Sequence, residues 1–423
     1  MFKALFLATT SINALIMVKY LNSQDLGIWY IFATIQTFVF ILSNAFLPNI
    51  SRQYTLADAR LGENFNLTFL KYKVDKLFLK ISIFILLILM VVTFLYLQPV
   101  LDILEVSKRL LLLSWVVLAT SCLLEVYFSK YDCILMGYGR FKEVNSANFV
   151  GRFALLILCI VYFSFMQKSH GLLAFCSIYL FSNLLKRVLI ARKVEELISE
   201  KNKHVENNSE SFEYYSSVER LIIKLSAKSL VASAGSVMIT RSAILISPLF
   251  LSINEVASYG LTYQLYELSF NLIFTCCVIF SPKWVRLFES NNKSLAYSYY
   301  KIQIGSFAFM CLSILFIIFI IPNIFSLLHV STTLLNERLC FLLGIVFILQ
   351  MIHSIAGQLL TVKNEIPYAY ASFISGLTIM LATYFIMPRF GLAGAILSML
   401  AIQLFYNNWK WPLQAHKLIG RIK

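Results

Sequence analysis

The stretch LFLKISIFILLILMVVTFLYL, residues 77–97, is apolar at almost every position and carries one charge, Lys80. An α-helix needs roughly 20 mostly apolar residues to cross the hydrocarbon core of a bilayer. A membrane β-strand would instead alternate polar and apolar residues, which this stretch does not do. It therefore predicts a membrane-spanning helix.

The same pattern recurs along the whole chain. Of the 423 residues, 59% are hydrophobic and 13% are charged, whereas soluble domains carry about 25% charged residues. Because lipid-exposed backbone must satisfy its own hydrogen bonds, we predict an all-α polytopic membrane protein with about twelve transmembrane helices. The predicted spans are residues 4–21, 27–49, 77–97, 110–128, 149–167, 171–190, 226–251, 258–281, 302–322, 338–358, 368–387 and 392–409. The first span also resembles a signal peptide, but it lacks a clear cleavage site.

The charges predict the orientation of the spans. With the N-terminus inside, most of the 36 Lys and Arg residues fall in cytoplasmic segments, as the positive-inside rule requires. Both termini are then cytoplasmic. The net charge of +15 reflects this topology rather than nucleic-acid binding, and it favours contact with anionic membrane lipids.

A polar, charged segment divides the chain into two halves with six spans each. We predict an N-terminal bundle over residues 1–190, a cytoplasmic linker over residues 191–225 and a C-terminal bundle over residues 226–423. Such charged, apolar-poor composition is typical of linkers.

Three matches suggest that the halves are related. YLNSQDLGIWYIFATIQTFVF (20–40) aligns with FLSINEVASYGLTYQLYELSF (250–270), and FMQKSHGLLA (165–174) aligns with FIMPRFGLAG (385–394). Between them, a P-x-x-x-R pattern ends at Arg52 and at Arg286. Two six-span halves of the same orientation form parallel repeats around a central cavity, which is a transporter architecture.

Arg241 lies in the middle of the apolar run GSVMITRSAILISPLFL, residues 235–251. It is about 15 Å from the outer end of its span, and Glu267 lies about 13–14 Å from the same surface on the next span. Two readings stay open. The residues form a structural ion pair, or Arg241 meets an anionic substrate in a cavity while Glu267 orients or releases it. Arginine suits phosphate because its planar fork stays charged and bonds in pairs.

The other candidate site residues are less deeply placed. Arg52 and Arg286 would form a basic cytoplasmic entrance or serve as positive-inside charges. Arg152 begins the fifth span from the inside, and Lys19 is close enough to the outer end of the first span to reach water. His353, together with Glu267, is a candidate for coupling transport to an ion gradient.

The sequence contains no recognisable enzyme motif. We find no P-loop, G-x-S-x-G or H-E-x-x-H pattern. The eight cysteines and five histidines show no metal-ligand spacing, so we expect no metal, no cofactor and no enzymatic activity.

Three stretches, YLNSQDLGIWYIF (20–32), MGYGRFKEVNSAN (136–148) and PRFGLAGAILS (388–398), resemble the bacterial polysaccharide repeat-unit flippases of the O-antigen type. These belong to the multidrug/oligosaccharidyl-lipid/polysaccharide exporter superfamily. LPNISR (47–52) is similar to a stretch of the lipid II flippases, and this implies that Arg52 contacts pyrophosphate. The chain departs from those flippases in lacking two C-terminal helices.

The resemblance implies a flippase of the bacterial cytoplasmic membrane that moves oligosaccharides linked to undecaprenyl pyrophosphate, for O-antigen or capsule synthesis. The polymerase and chain-length regulator of that pathway are the candidate protein partners. The alternatives are a drug or small-molecule exporter of the same superfamily, and a membrane polymerase or ligase. The polymerase or ligase reading is disfavoured because the longest predicted outer loop is short, residues 322–337.

Overall fold

A computed structural model describes residues 2–61, 67–103, 108–165, 170–201, 210–363 and 365–421. The predicted all-helical membrane class is confirmed. The helices are α1 Phe2–Tyr20, α2 Ser23–Leu61, α3 Leu67–Val92, α4 Gln98–Ile103, α5 Lys108–Gly137, α6 Phe141–Phe165, α7 Gly171–Lys201, α8 Glu210–Ile246, α9 Ile253–Glu289, α10 Ser294–Leu315, α11 Ile321–Leu327, α12 Glu337–Leu360, α13 Ala369–Phe405 and α14 Asn407–Ile419.

The chain divides into two compact units. Unit 1 comprises Met1–Leu21 and Phe32–Leu230, and unit 2 comprises Asn22–Ile31 and Val231–Lys423. Helices extend into the segment predicted as a linker, because α7 runs to Lys201 and α8 begins at Glu210. The central part of that predicted linker, 202–209, lies outside the described residues.

The start of α2 is part of the core of unit 2. The ring of Tyr30 packs directly on Gly260 of α9, and the Tyr30 hydroxyl donates a hydrogen bond of 2.7 Å to Oε1 of Gln264. Gly27 lies against Ile253 in the first turn of α9. The segment Asn22–Ile31 therefore covers the beginning of α9 inside unit 2.

Helix α13 is a hairpin of two arms. Gly391 has φ 56° and ψ −144°, a conformation that only glycine adopts readily. Nδ2 of Asn407 donates to Oγ of Ser375 over 3.0 Å, although 32 residues of continuous helix would span about 48 Å. The chain therefore folds back at Gly391, between the predicted spans 368–387 and 392–409.

The described residues contain ten helical runs that are long and apolar enough to cross a membrane. One of them, Ala369–Ile419, contains the α13 hairpin and thus two of the predicted spans. Helix α1, predicted as the first span, forms over 19 residues but is not among the ten. The prediction of about twelve spans therefore corresponds to ten apolar runs, one of which is folded in two, and α1.

Each half of the chain contains the same helical irregularity, a π-helical turn next to a proline. Thr93–Leu97 and Phe316–Ile320 are each a π-helical turn, and each is followed at once by a turn containing a proline, Pro99 or Pro322. Proline cannot donate a backbone hydrogen bond, and its ring crowds the carbonyl four residues earlier. A wider π turn relieves this crowding.

Helices α8 and α13 cross backbone to backbone in unit 2. A Cβ added to Gly235 would lie 2.3 Å from the backbone nitrogen of Phe373, and one added to Gly376 would lie 2.6 Å from the carbonyl oxygen of Gly235. Neither backbone can shift without moving its whole helix. The crossing therefore requires glycine on both sides.

We expect Gly235→Ala to destabilise the protein, because overpacking costs about 1–3 kcal/mol and the crowded atoms here are backbone. The measurement is thermal unfolding of purified protein in detergent. Gly305→Ala is the matched control, since nothing lies within 4 Å of a Cβ at Gly305. Equal midpoints for the two variants would contradict the close crossing.

Candidate functional site

Arg241 and Glu267 meet inside unit 2. Arg241 lies on α8 and Glu267 on α9, and a short connection joins the two helices. Nη2 of Arg241 donates a hydrogen bond to Oε1 of Glu267. The two charges therefore neutralise each other, as the structural-pair reading of the sequence requires, and this contact alone does not test a role in substrate binding.

Aromatic rings surround the Arg241 guanidinium. Its central carbon lies 5.0 Å from the centre of the Tyr263 ring, a separation typical of cation–π contacts. Tyr263 packs edge-on against Phe347 of α12 at 5.1 Å, and Tyr266 stacks on the same ring at 5.5 Å. Since both tyrosines are buried, the aromatic layer holds Arg241 in a defined position.

A polar cavity of about 180 Å³, here called the amide cavity, lies among α8, α12, α13 and α14. Its polar lining consists mainly of amides and hydroxyls: Ser236, Gln350, Ser354, Gln358, Ser372, Gln403 and Asn407. His353, Tyr368 and Trp411 complete the polar part of the wall. No carboxylate, lysine or arginine is among the described residues that line this cavity.

The amide cavity has a rigid wall built around Asn407. Nδ2 of Asn407 donates to Oε1 of Gln403 over 3.2 Å, and Nε1 of Trp411 donates to Oδ1 of Asn407 over 2.9 Å. Among the described residues, Oε1 of Gln350 and Nε2 of Gln403 are buried polar atoms without a hydrogen-bond partner. Both residues line the cavity, so its wall contains one unpartnered acceptor and one unpartnered donor.

His353 is part of the same wall. Its Nδ1 lies 2.7 Å from Oδ1 of Asn408, and since a carbonyl oxygen only accepts, the proton belongs on Nδ1. Nε2 is then an acceptor in the neutral imidazole. The structure places His353 at the amide cavity and not in the Arg241–Glu267 pair.

Arg152 lies near the middle of α6 in unit 1. The predicted span began at residue 149, but the helix begins at Phe141, so Arg152 is about 16 Å from the start of the helix. The helix therefore extends eight residues beyond the start of the predicted span, and the position of Arg152 at the inner end of the membrane segment stays a prediction. The polar residues that precede Arg152 in the sequence, from Phe141 onward, belong to α6 and not to a loop.

The Arg152 guanidinium contacts aromatic rings and is not neutralised. It lies 5.5 Å from the ring centre of Tyr179 and 5.8 Å from that of Phe6. Tyr179 accepts a hydrogen bond of 3.1 Å from Nε2 of Gln36, which places an amide beside the rings. Within the described part of the chain, Arg152 has no carboxylate partner. This cation can therefore accept an external anion.

The remaining candidates lie at exposed positions. Arg52 and Arg286 are exposed on α2 and α9, and Arg286 is nineteen residues beyond Glu267, or about 29 Å along the helix. Lys19 is exposed and lies 5.6 Å from the centre of the Tyr20 ring. The structure does not bring Arg286 to the Arg241–Glu267 pair.

A buried ionic cluster lies between α5 and α7, and sequence reasoning did not identify its members as partners. Arg187 pairs with Glu125 at 2.7 Å and with Asp132 at 2.6 Å, and Lys186 also contacts Glu125. Lys186 and Arg187 lie near the end of the predicted span 171–190, and both side chains are nearly buried. Two cations and two anions balance, so the cluster is suited to holding α5 and α7 together.

No protein-family model and no curated protein matches the chain. Solved structures do match. A multidrug resistance MATE family transporter of the MOP superfamily, in an inward-facing conformation, is 14% identical, with 98% of this chain and 95% of that chain covered and a TM-score of 0.73. The chain has a MATE-like fold.

Two further solved structures that match the chain are described as having different functions. The lipid II flippase MurJ is 12% identical over 99% of this chain and 91% of its own, with a TM-score of 0.62. A MOP superfamily transporter from Pyrococcus furiosus, described as having a binding pocket of reverse polarity, is 14% identical over 96% and 98%, with a TM-score of 0.51. At these identities the likeness shows a shared fold and does not imply the substrate.

Proposed function

We propose that the protein is a flippase, not an enzyme, and that it moves an oligosaccharide linked to undecaprenyl pyrophosphate across the bacterial cytoplasmic membrane. It would act by alternating access in the synthesis of O-antigen or capsule, with both termini in the cytoplasm. The observation that carries this proposal is Arg152, an arginine on the long apolar helix α6 that has no carboxylate partner in the described structure.

A cation without a carboxylate partner on a membrane-spanning helix is costly in the absence of a ligand, and such residues mark substrate pathways. Binding of pyrophosphate offsets this unfavourable free energy, because guanidinium groups bind phosphate oxygens through paired, charge-assisted hydrogen bonds. The exposed Arg52, Arg286 and Lys19 are proposed as contacts for the same anion on its way to or from the interior. Arg241 is proposed to exchange Glu267 for the pyrophosphate during the cycle.

The residues that line the amide cavity favour a glycan as the substrate over a cationic drug. A site for cations would place a carboxylate in the cavity, and the described lining of the amide cavity contains none. The second candidate, export of a small molecule or drug, is favoured by the likeness to the MATE transporter and by Glu267, the one acid of the Arg241–Glu267 pair. Glu267 and His353 are proposed as the groups that couple transport to an ion gradient.

The test is translocation in proteoliposomes. The probe is a short-chain polyprenyl pyrophosphate that carries a fluorescent disaccharide, and its appearance in the second leaflet is measured with a membrane-impermeant quencher. We expect faster translocation than in empty vesicles, and no efflux of ethidium in the same vesicles. Ethidium efflux without movement of the glycolipid would overturn the proposal in favour of the drug exporter.

Deletion of the gene in the native host provides a second readout. We expect loss of the surface polysaccharide and accumulation of lipid-linked repeat units inside the cell. Normal surface polysaccharide, in a strain with no second flippase gene, would contradict the proposal.

A further inference from the structure

We propose that the amide cavity of unit 2 is a subsite for one uncharged sugar ring of the substrate. This inference rests on the proposed function, which it deepens by assigning the glycan to particular residues. It starts from the two buried polar atoms that the fold leaves without partners, Oε1 of Gln350 and Nε2 of Gln403.

The two free atoms have complementary chemistry. Gln350 presents an acceptor and Gln403 a donor, and the Gln403 side chain is only 2% exposed. A buried polar group without a partner is unfavourable, so natural structures satisfy such groups with protein, water or ligand. A sugar hydroxyl both donates and accepts hydrogen bonds, so its chemistry matches the unpartnered acceptor of Gln350 and the unpartnered donor of Gln403.

The cavity also has an aromatic wall at a fixed orientation. The rings of Tyr368 and Trp411 are 6.1 Å apart and nearly perpendicular, and both line the cavity. The indole of Trp411 is held by its hydrogen bond to Asn407. The C–H face of a sugar ring packs well on such rigid aromatic surfaces, because they combine apolar area with few rotatable bonds.

Charge and size restrict the ligand. The described lining has neither a carboxylate nor a lysine or arginine, which disfavours both a cation and the pyrophosphate itself. The volume of about 180 Å³ is below the range of about 300–1,000 Å³ for drug-sized ligands. It fits a single ring, or about six waters at roughly 30 Å³ each. Water is therefore the competing occupant.

Gln350→Leu is the decisive variant. Leucine has a similar volume, and Gln350 makes no side-chain hydrogen bond within the described structure, so the wall around Asn407 is left intact. Gln303→Leu is the matched control. Gln303 is also an amide of unit 2, but it bonds to Tyr299 and to the carbonyl of Ile352 outside the amide cavity.

The experiment titrates purified protein with a panel of methyl glycosides and follows tryptophan fluorescence. The detergent must itself contain no sugar, which excludes maltosides and glucosides. We expect a saturable change with at least one glycoside, a smaller amplitude in Trp411→Phe, and about tenfold weaker binding in Gln350→Leu. That is about 1.4 kcal/mol for the lost hydrogen bond. Gln303→Leu should bind as the wild type does.

Two results would overturn the subsite. If no glycoside of the panel produces a change, the cavity holds water only. If Gln350→Leu and Gln303→Leu bind equally well, the sugar lies elsewhere. If the protein still translocates the glycolipid in either case, the proposed flippase function holds and only the subsite is wrong. If the protein binds a glycoside but does not translocate the glycolipid, the subsite holds and the flippase function is wrong.

Discussion

Replacement of Arg152 by glutamine is expected to abolish translocation of pyrophosphate-linked substrates and to make the protein more stable. Charge-assisted hydrogen bonds are worth about 1.5–3 kcal/mol, so binding of inorganic pyrophosphate should weaken by roughly 10- to 150-fold. Stability should rise because the variant removes a charge that, within the described structure, has only the rings of Tyr179 and Phe6 as partners. Calorimetric titration and thermal unfolding measure the two effects.

The combination of lost activity and gained stability separates binding from structure. A residue that only supports the fold would lose both together, whereas a binding residue is often retained at a cost in stability. Arg152→Lys should keep part of the affinity, because lysine retains the charge but not the fork. Arg338→Gln is the control, since Arg338 is exposed at the start of α12. Unchanged pyrophosphate binding in Arg152→Gln would show that Arg152 does not form the anion site.

The opposite stability effect is expected for Arg241. Arg241→Ala leaves Glu267 without its partner, and breaking a buried pair in this way costs about 3–5 kcal/mol. We expect the lower end of that range, because the Glu267 side chain is 29% exposed. Transport should be lost in Arg241→Ala and partly retained in Arg241→Lys. Thermal unfolding and the vesicle assay provide the readouts.

The double variant Arg241→Ala/Glu267→Ala distinguishes the two readings of the pair. It should regain most of the lost stability, because no unpaired charge remains, and the double-mutant cycle then gives the coupling energy. It should not regain transport, because Arg241 is proposed to meet the substrate. A double variant that transports like the wild type would show that the pair serves the fold alone.

The sequence predicts which segments form membrane-spanning helices more accurately than it predicts the residues at which those helices begin and end. Apolar runs locate the spans because the bilayer requires them, and the PRFGLAG motif marks the break of α13 at Gly391. Hydropathy does not report where a helix continues into polar residues. For this reason α6 begins eight residues before its predicted span.

The candidate site is predictable only where sequence neighbours form it. Arg241 and Glu267 lie on consecutive helices joined by a short connection, so their matching depth follows from counting residues. The amide cavity combines Gln350 of α12 with Gln403 of α13 and Asn407 of α14. These residues are brought together by the hairpin at Gly391 and by packing of α14 on α12. No periodicity in the sequence reports such packing.

The segment Asn22–Ile31 limits how the gene can be divided. A break between α7 and α8 would yield a second polypeptide without the residues that cover Ile253 and Gly260, and without the hydroxyl that binds Gln264. That polypeptide would carry an incomplete core, so it would have to be co-expressed with a fragment that supplies Asn22–Ile31. Unit 2 therefore cannot be expressed alone as a complete unit. Chimaeras with other proteins of this fold need a junction that keeps the start of α2 together with α9.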